Sequence, residues 1–395
     1  MIHYLYDFDK PVSRDNTHSA KWNYIQQSVG VADALPMWVA DMDFETVPEV
    51  TRSIAERAQH GIYGYTARSQ GYYDAIIEWN RKRHGWRVEK SWITHSPGVV
   101  NALYTSIRAL TQPGDGVLIQ PPVYHPFYKA ISKNGCKTVL SPLKLEDNRY
   151  VPDLENFEAR LKEGGVKLFI LCNPHNPVGR VFTAAELTAM GELCLRYGVT
   201  VISDEIHSDL VFKRHRHVPF ASLSEEHAQN VIVCTAPSKT FNLAGLATSN
   251  IIIPNEGLRQ RYDQACEQLA LKSFNIFGAA ACEAAYKHGE EWLDQLLDYL
   301  DINREYALGF LASRLPELRA CNPEGTYFLW LDCRSLQLDN AELEQFMLRQ
   351  ARLWFNQGHI FGEEGSGFVR INLGCPRSVV VEALNRLEQA VRSLK

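Results

Sequence analysis

The chain has 395 residues, of which 45% are hydrophobic and 22% charged, with a formal net charge of −5. That length predicts two to three domains at about 150 residues each, and the balanced composition excludes disordered, collagenous and disulfide-knot classes. The mild negative charge excludes a chain-wide basic field for nucleic acid, and nine scattered cysteines without a C-x-x-C pair predict reduced thiols in a cytoplasmic protein.

In chain order, the start MIHYLYDFDK puts Asp7 and Asp9 where a secretory signal needs an apolar core. Residues 1–47 have weak periodicity and are expected to pack on a C-terminal domain. The string SPGVVNAL leads into an apolar helical run, with Gly98 and Val99 at its start. Then come GVLIQPP, VKLFILCNP, GVTVISDE, NVIVCTAPS and TSNIIIP, β-branched runs bounded by Gly, Pro, Asp or Asn. They predict buried strands. A helix is predicted between two of them, with Thr183 as N-cap, Leu187, Met190, Leu193 and Cys194 on one face, and Gly198 at its end. Strands alternating with helices predict an α/β fold with a doubly wound, largely parallel sheet, whose ligands sit beyond the carboxyl ends of the strands.

From Gly278 the sequence predicts one long, nearly unbroken helix ended by Pro316, then strands TYFLWLD and GFVRINLG and a closing amphipathic helix. The expected division is residues 1–47, a large domain at 48–287 and a small domain at 288–395. No apolar run reaches the ~20 residues a membrane span needs.

Three strand ends carry polar clusters. LFILCNPHNPVGR offers side-chain amides in a turn-rich backbone; the alternative is a plain turn after a buried strand. VISDEIHSD puts Asp204, Glu205, His207 and Asp209 past an apolar strand, which is costly unless something pairs with them. Asp204 and His207 lack further ligands at a metal-binding spacing, so no metal is expected. VIVCTAPSKTFNLAGL holds Lys239 between a strand and a Gly-containing turn. A desolvated lysine has a lowered pKa and makes Schiff bases. Together, in the order Asn176, Asp204, Lys239, they are the parts list for pyridoxal phosphate.

On these residues the chain resembles the fold-type I, aspartate-aminotransferase-like pyridoxal-phosphate enzymes over nearly its whole length. More narrowly it resembles the MalY/PatB-type cystathionine β-lyases (cysteine-S-conjugate β-lyases). The strings that carry this are LPMWVADMDF, HGIYGYT, SPGVVNAL, PPVYHPFY, CNPHNPVGR, SDEIHSDL, SKTFNLAGL and GEEGSGFVRINLGCPR. The resemblance implies a large domain with a mainly parallel seven-stranded sheet and a smaller α/β domain. It implies pyridoxal 5′-phosphate as cofactor, with Lys239 as Schiff-base lysine and mover of the Cα proton. Asp204 would pair with the ring nitrogen, Asn176 would bond the ring 3′-oxygen, and Tyr124 would stack on the ring; the alternative for Tyr124 is a core residue. His207 would adjoin the cofactor. Gly98, Val99 and Ser238 would bind phosphate. Tyr65, with Tyr63 as competitor, would reach the phosphate of a neighbouring subunit in a homodimer with shared active sites. Arg370 would clamp the substrate α-carboxylate, with the backbone near Ala40 facing it; Arg377 is left unassigned.

The sequence departs from typical transaminases twice. His207 stands where they carry Tyr, three residues after the ring-pairing Asp, and is shared with the β-lyase group. Ala247 stands where they carry a phosphate-binding Arg, eight residues after the lysine, so the phosphate's charge balance is open. The expected reaction is β-elimination from L-cystathionine and related S-substituted cysteines; the alternative is an aminotransferase acting on an amino acid and a 2-oxo acid. A third class is a regulatory protein with a protein partner, a role some relatives carry. With no helix-turn-helix segment before the fold, neither nucleic acid nor membrane is an expected partner.

Overall fold

The computed structural model describes residues 5–273 and 275–394. Residues 1–4 of the expected N-terminal segment and Lys395 of the expected small domain lie outside the described residues. A seven-stranded sheet is built from β1 (Ile93–Ser96), β2 (Gly116–Ile119), β3 (Lys137–Leu140), β4 (Val166–Cys172), β5 (Thr200–Asp204), β6 (Val231–Thr235) and β7 (Ser249–Ile252). Its order is β1-β7-β6-β5-β4-β2-β3, and only β7 runs against its neighbours. The five apolar runs of the sequence are β2 and β4 to β7. The two edge strands had no readable signal. In β3, Lys137, Thr138 and Leu140 are exposed, so no apolar run was required there.

The predicted helix after Thr183 is Ala184–Arg196, and the Thr183 hydroxyl and the Glu186 carboxylate close a capping box at its start. Leu187, Met190 and Cys194 are fully buried beneath it. One expectation fails. The long helix from Gly278 is two helices, α1 (Ile276–His288) and α2 (Glu290–Arg314), broken at Gly289. A Cβ at Gly289 would stand 2.3 Å from the Phe241 ring and 2.5 Å from the Ala285 carbonyl oxygen. The chain bends there because only glycine lets the backbone approach Phe241 so closely.

A four-stranded antiparallel sheet follows: β8 (Arg319–Cys321), β9 (Phe328–Asp332), β10 (Asn356–Gln357) and β11 (Phe368–Asn372), in order β8-β9-β11-β10. Strand alternation splits its faces. Leu329, Leu331, Val369 and Ile371 join Ala307, Leu311, Leu384, Leu387 and Val391 in one core. Phe328, Trp330 and Phe368 face the other way and merge with the core of the large sheet. Arg370 shares that second face, so a strand of the small sheet aims a guanidinium at the large one.

The N-terminal segment touches both parts. Leu35–Pro36 pairs in parallel with Leu353–Trp354, while Phe8 packs on Phe44, Trp292 and Tyr299. No helix among the described residues is long and apolar enough to cross a membrane.

Candidate active site

The carboxyl ends of β4, β5 and β6 are in register: Cys172 pairs with Asp204, and Asp204 with Cys234. The residues that follow therefore emerge side by side. Nine of the sequence-predicted site residues line one cavity: Ala40, Gly98, Val99, Tyr124, Asn176, Asp204, His207, Ser238 and Lys239. Ala247 also lines it, so the position where transaminases carry an arginine does face this space.

Lys239 sits on a short helix after β6, and its Nζ donates to the Ala40 carbonyl oxygen at 2.6 Å. Burial, then the Arg370 charge, pull its pKa down to about 8, against Asp41 and Asp204. The neutral fraction at pH 7 then rises to roughly a tenth, far above that of an ordinary lysine. Asp204 closes β5 and is 3% exposed. Its Oδ1 accepts from the Ile206 N–H. Burial pushes its pKa up to about 7, against that hydrogen bond and Lys239. His207 is buried, and desolvation followed by the charges of Lys239 and Arg370 keeps its ring neutral, well below the usual pKa.

Arg370 does not line the cavity itself. It is tied to it by Nη1, which donates to Asn176 Oδ1 at 2.8 Å. Nη2 donates to the Trp38 carbonyl oxygen at 2.7 Å and to Asn356 Oδ1. The guanidinium lies over the rings of Phe328, 4.1 Å away, and Phe361, 5.0 Å away. Its Nε finds no partner among the described residues, and burial lowers its pKa to about 10 while it stays charged.

A 12-residue helix, Val99–Leu110, begins at the cavity wall, where Gly98 caps it at φ +106° and Val99, Val100 and Asn101 follow. Its first N–H groups have no intrahelical acceptor, and the helix dipole adds to their pull on an anion.

The structure leaves Tyr65 out of this cavity. It is fully exposed and, with Tyr63, lines a separate open cleft beside Lys272 and Ser273. The four ionisable groups of SDEIHSD also divide. Asp204 and His207 face the cavity; Glu205 pairs with His217 at 2.9 Å and Asp209 with His84 at 2.9 Å. Arg377 is structural, donating from Nε to Asn303 Oδ1. No group of three or more His, Cys, Asp or Glu side chains able to hold a metal occurs among the described residues.

Sequence reasoning missed three contributors. Tyr327 donates its hydroxyl to the Ala40 carbonyl oxygen at 3.0 Å, beside Lys239 Nζ. Asn356 and the Trp38 carbonyl hold the Arg370 fork. Asn356 belongs to no motif, while Trp38 and Tyr327 lie in LPMWVADMDF and TYFLWLD, which gave those two residues no role of their own; only the closing of the small sheet on the large one assembles them.

The set fits the expected cofactor on three observations. It has an amine of depressed pKa, a buried carboxyl group with a raised pKa, and a helix N-terminus in the lining of the same cavity. These match an aldehyde, a ring nitrogen and a phosphate ester respectively.

The chain from residue 33 to 387 matches the model of the family described as aminotransferase class I and II. It is 46% identical to cystathionine beta-lyase PatB of Bacillus subtilis (strain 168), covering 98% of this chain and all of that protein. It is 35% identical to protein MalY of Escherichia coli (strain K12), covering 99% of this chain and all of that one. The solved structure of cystalysin from Treponema denticola, which contains a pyridoxal 5′-phosphate cofactor, superposes with TM-score 0.96 at 38% identity, covering 99% and 100% of the two chains. The folded architecture and a match over almost the full length agree: this chain belongs to the class I and II aminotransferase family.

Proposed function

We propose that the protein is a pyridoxal-phosphate-dependent carbon–sulfur lyase. It takes L-cystathionine and related S-substituted cysteines, with water, to a thiol, pyruvate and ammonia. The full-length similarity to a cystathionine β-lyase carries elimination over transamination; the geometry supports the steps the two reactions share.

Bound in the cavity, pyridoxal phosphate supplies an aldehyde carbon for amines and a cationic ring that accepts the electron pair left at Cα. The chain's residues do the rest. Lys239 Nζ would hold the cofactor aldehyde, and as a free amine it would take the proton from the substrate Cα. A pKa near 8 suits that base. The Ala40 carbonyl accepts from Nζ and keeps the amine on one side of the cavity. Asp204 holds a proton at the ring nitrogen, and its raised pKa makes sharing it favourable. Asn176 and Tyr124, both lining the cavity, would bond the ring oxygen and stack on the ring. The Arg370 fork takes the substrate α-carboxylate, which fixes Cα with its hydrogen toward Lys239. The electron pair at Cα then closes a Cα=Cβ bond as the Cβ–S bond breaks, the thiolate takes the proton that Lys239 carries, and the released aminoacrylate adds water to give pyruvate and ammonia.

Tyr65 has no role within one chain. A second copy placing it at the phosphate end of this cavity makes a homodimer with shared sites, and the exposed run Ile62, Tyr63 and Tyr65 supports such a contact. Mixing two inactive variants, Tyr65→Ala and Lys239→Ala, then restores activity at roughly a quarter of the sites, as random pairing dictates.

The deciding experiment incubates the purified yellow protein with L-cystathionine and follows thiol and pyruvate. Equal release of both is expected. An intact cofactor spectrum with neither product, or conversion to pyridoxamine phosphate rescued by a 2-oxo acid, overturns elimination.

A further inference from the structure

Ala247 leaves the phosphate end of the cavity without the expected arginine, and the residues behind that wall supply another. A small cavity of ≈ 10 Å³, room for about one water, is lined by Arg68, Tyr72, His95, Pro97, Ala247 and Thr248, among others. Pro97, Ala247 and Thr248 also line the main cavity. They form a shared wall, next to the helix start at Gly98 and Val99. Arg68 therefore borders, from the small cavity, the wall that closes the main one beside the helix start.

The surroundings of Arg68 suit that task. The groups that favour its charge are Tyr72, which also hydrogen-bonds it, Tyr73 and the Cys282 thiol, and burial raises the pKa values of Tyr72 and Cys282. Burial costs the guanidinium more than they return, so its pKa is lowered. A nearby dianion would reverse that balance. His95, in the same cavity, stays uncharged, its pKa lowered to about 3 by burial and then by Arg68. Both His95 ring nitrogens are without a hydrogen-bond partner among the described residues, which leaves the cavity with unused polar capacity beside the guanidinium.

We propose that Arg68 is the counter-cation of the cofactor phosphate, filling from behind the Pro97–Ala247–Thr248 wall the charge-balancing place left by alanine at position 247. This rests on the pyridoxal-phosphate reading above and extends it.

The test titrates cofactor-free protein with pyridoxal phosphate and, separately, with pyridoxal, which has the aldehyde and ring but no phosphate. For Arg68→Gln the dissociation constant for pyridoxal phosphate is expected to rise about 10- to 100-fold, the range for one unit charge acting through the wall at an effective dielectric of about 20, while that for pyridoxal stays within about twofold. Arg68→Lys retains most of the affinity, and adding Ala247→Arg to Arg68→Gln restores it. Equal weakening for both ligands, or no weakening for either, overturns the proposal. Should Arg68→Gln not fold, the ³¹P resonance of the wild-type holoenzyme decides. A phosphate held by a guanidinium stays dianionic from pH 8 down to 5, whereas titration near the free-ester pKa of about 6 overturns it. A wild-type protein that takes up neither ligand and shows no visible absorbance instead overturns the cofactor reading itself.

Discussion

Two aspartates five residues apart, Asp204 and Asp209, are both buried after the same apolar strand, yet they have opposite character. Asp209 accepts from Trp79 Nε1 at 3.0 Å, His84 Nε2 at 2.9 Å and Thr240 Oγ1 at 2.7 Å. Burial pushes its pKa up, but His84, Thr240 and Trp79 outweigh that and hold it below the usual value. Asp204 accepts from the Ile206 N–H, and burial carries its pKa to about 7. Equal exclusion from water thus gives an anchor where donors converge and an open acceptor where they do not. The carboxyl group with a single donor faces the cavity, and the one with three donors pins the loop that follows β5 to the helix carrying Trp79.

That contrast breaks most visibly in turnover. Asp204→Ala is expected to lower thiol release from cystathionine by about 10³-fold, an electrostatic loss of the size seen on removing one preorganised site group, while the protein stays folded by circular dichroism. The second effect is on stability against pH. Asp204 keeps its proton to about pH 7 when folded but only to about 4 when unfolded. Its contribution is therefore greatest in acid and is lost as pH rises from about 4 to 7, by on the order of 4 kcal/mol. Cofactor-free Asp204→Asn should melt above wild type at pH 8, with the gap closing toward pH 5; a gap independent of pH sinks the assignment. Asp209→Ala goes the other way. It leaves His84, Trp79 and Thr240 without their acceptor and should cost about 3 kcal/mol in denaturant unfolding at pH 7. Because its folded pKa is depressed, that penalty shrinks as pH falls through the folded value. The smallest effect is Tyr327→Phe, which removes one hydrogen bond to the Ala40 oxygen and should change turnover only a few-fold, about 1 kcal/mol.

Much of this was legible in the sequence because strand ends are local. The strings NPHNP, SDEIH and SK each follow a β-branched run, and the common register of Cys172, Asp204 and Cys234 turns three separate strings into one site. Residue chemistry alone did not separate Asp204 from Asp209, and only the resemblance singled out Asp204, because the donors that satisfy Asp209 come from His84, Trp79 and Thr240, distant in the chain. The edge strand at Lys137 was missed since solvent on its faces demands no apolar run. The break at Gly289 was missed because the cause is the ring of Phe241, brought there only by tertiary packing. Arg68 gave no signal of its own, and its position emerges only when the Ser96–Pro97 and Ala247–Thr248 segments meet.

The loop bearing Ala40 hangs between the first and last parts to be synthesised. Asn372 Nδ2 donates to the Val39 and Asp41 carbonyl oxygens at 2.7 and 2.6 Å, and Leu35–Pro36 waits for Leu353–Trp354. A chain still being translated beyond Lys239 thus carries its amine without the carbonyl that orients it or the guanidinium that recognises substrate. Competence arrives with completion, and a protease that trimmed the final strand and helix would silence the protein while sparing the lysine.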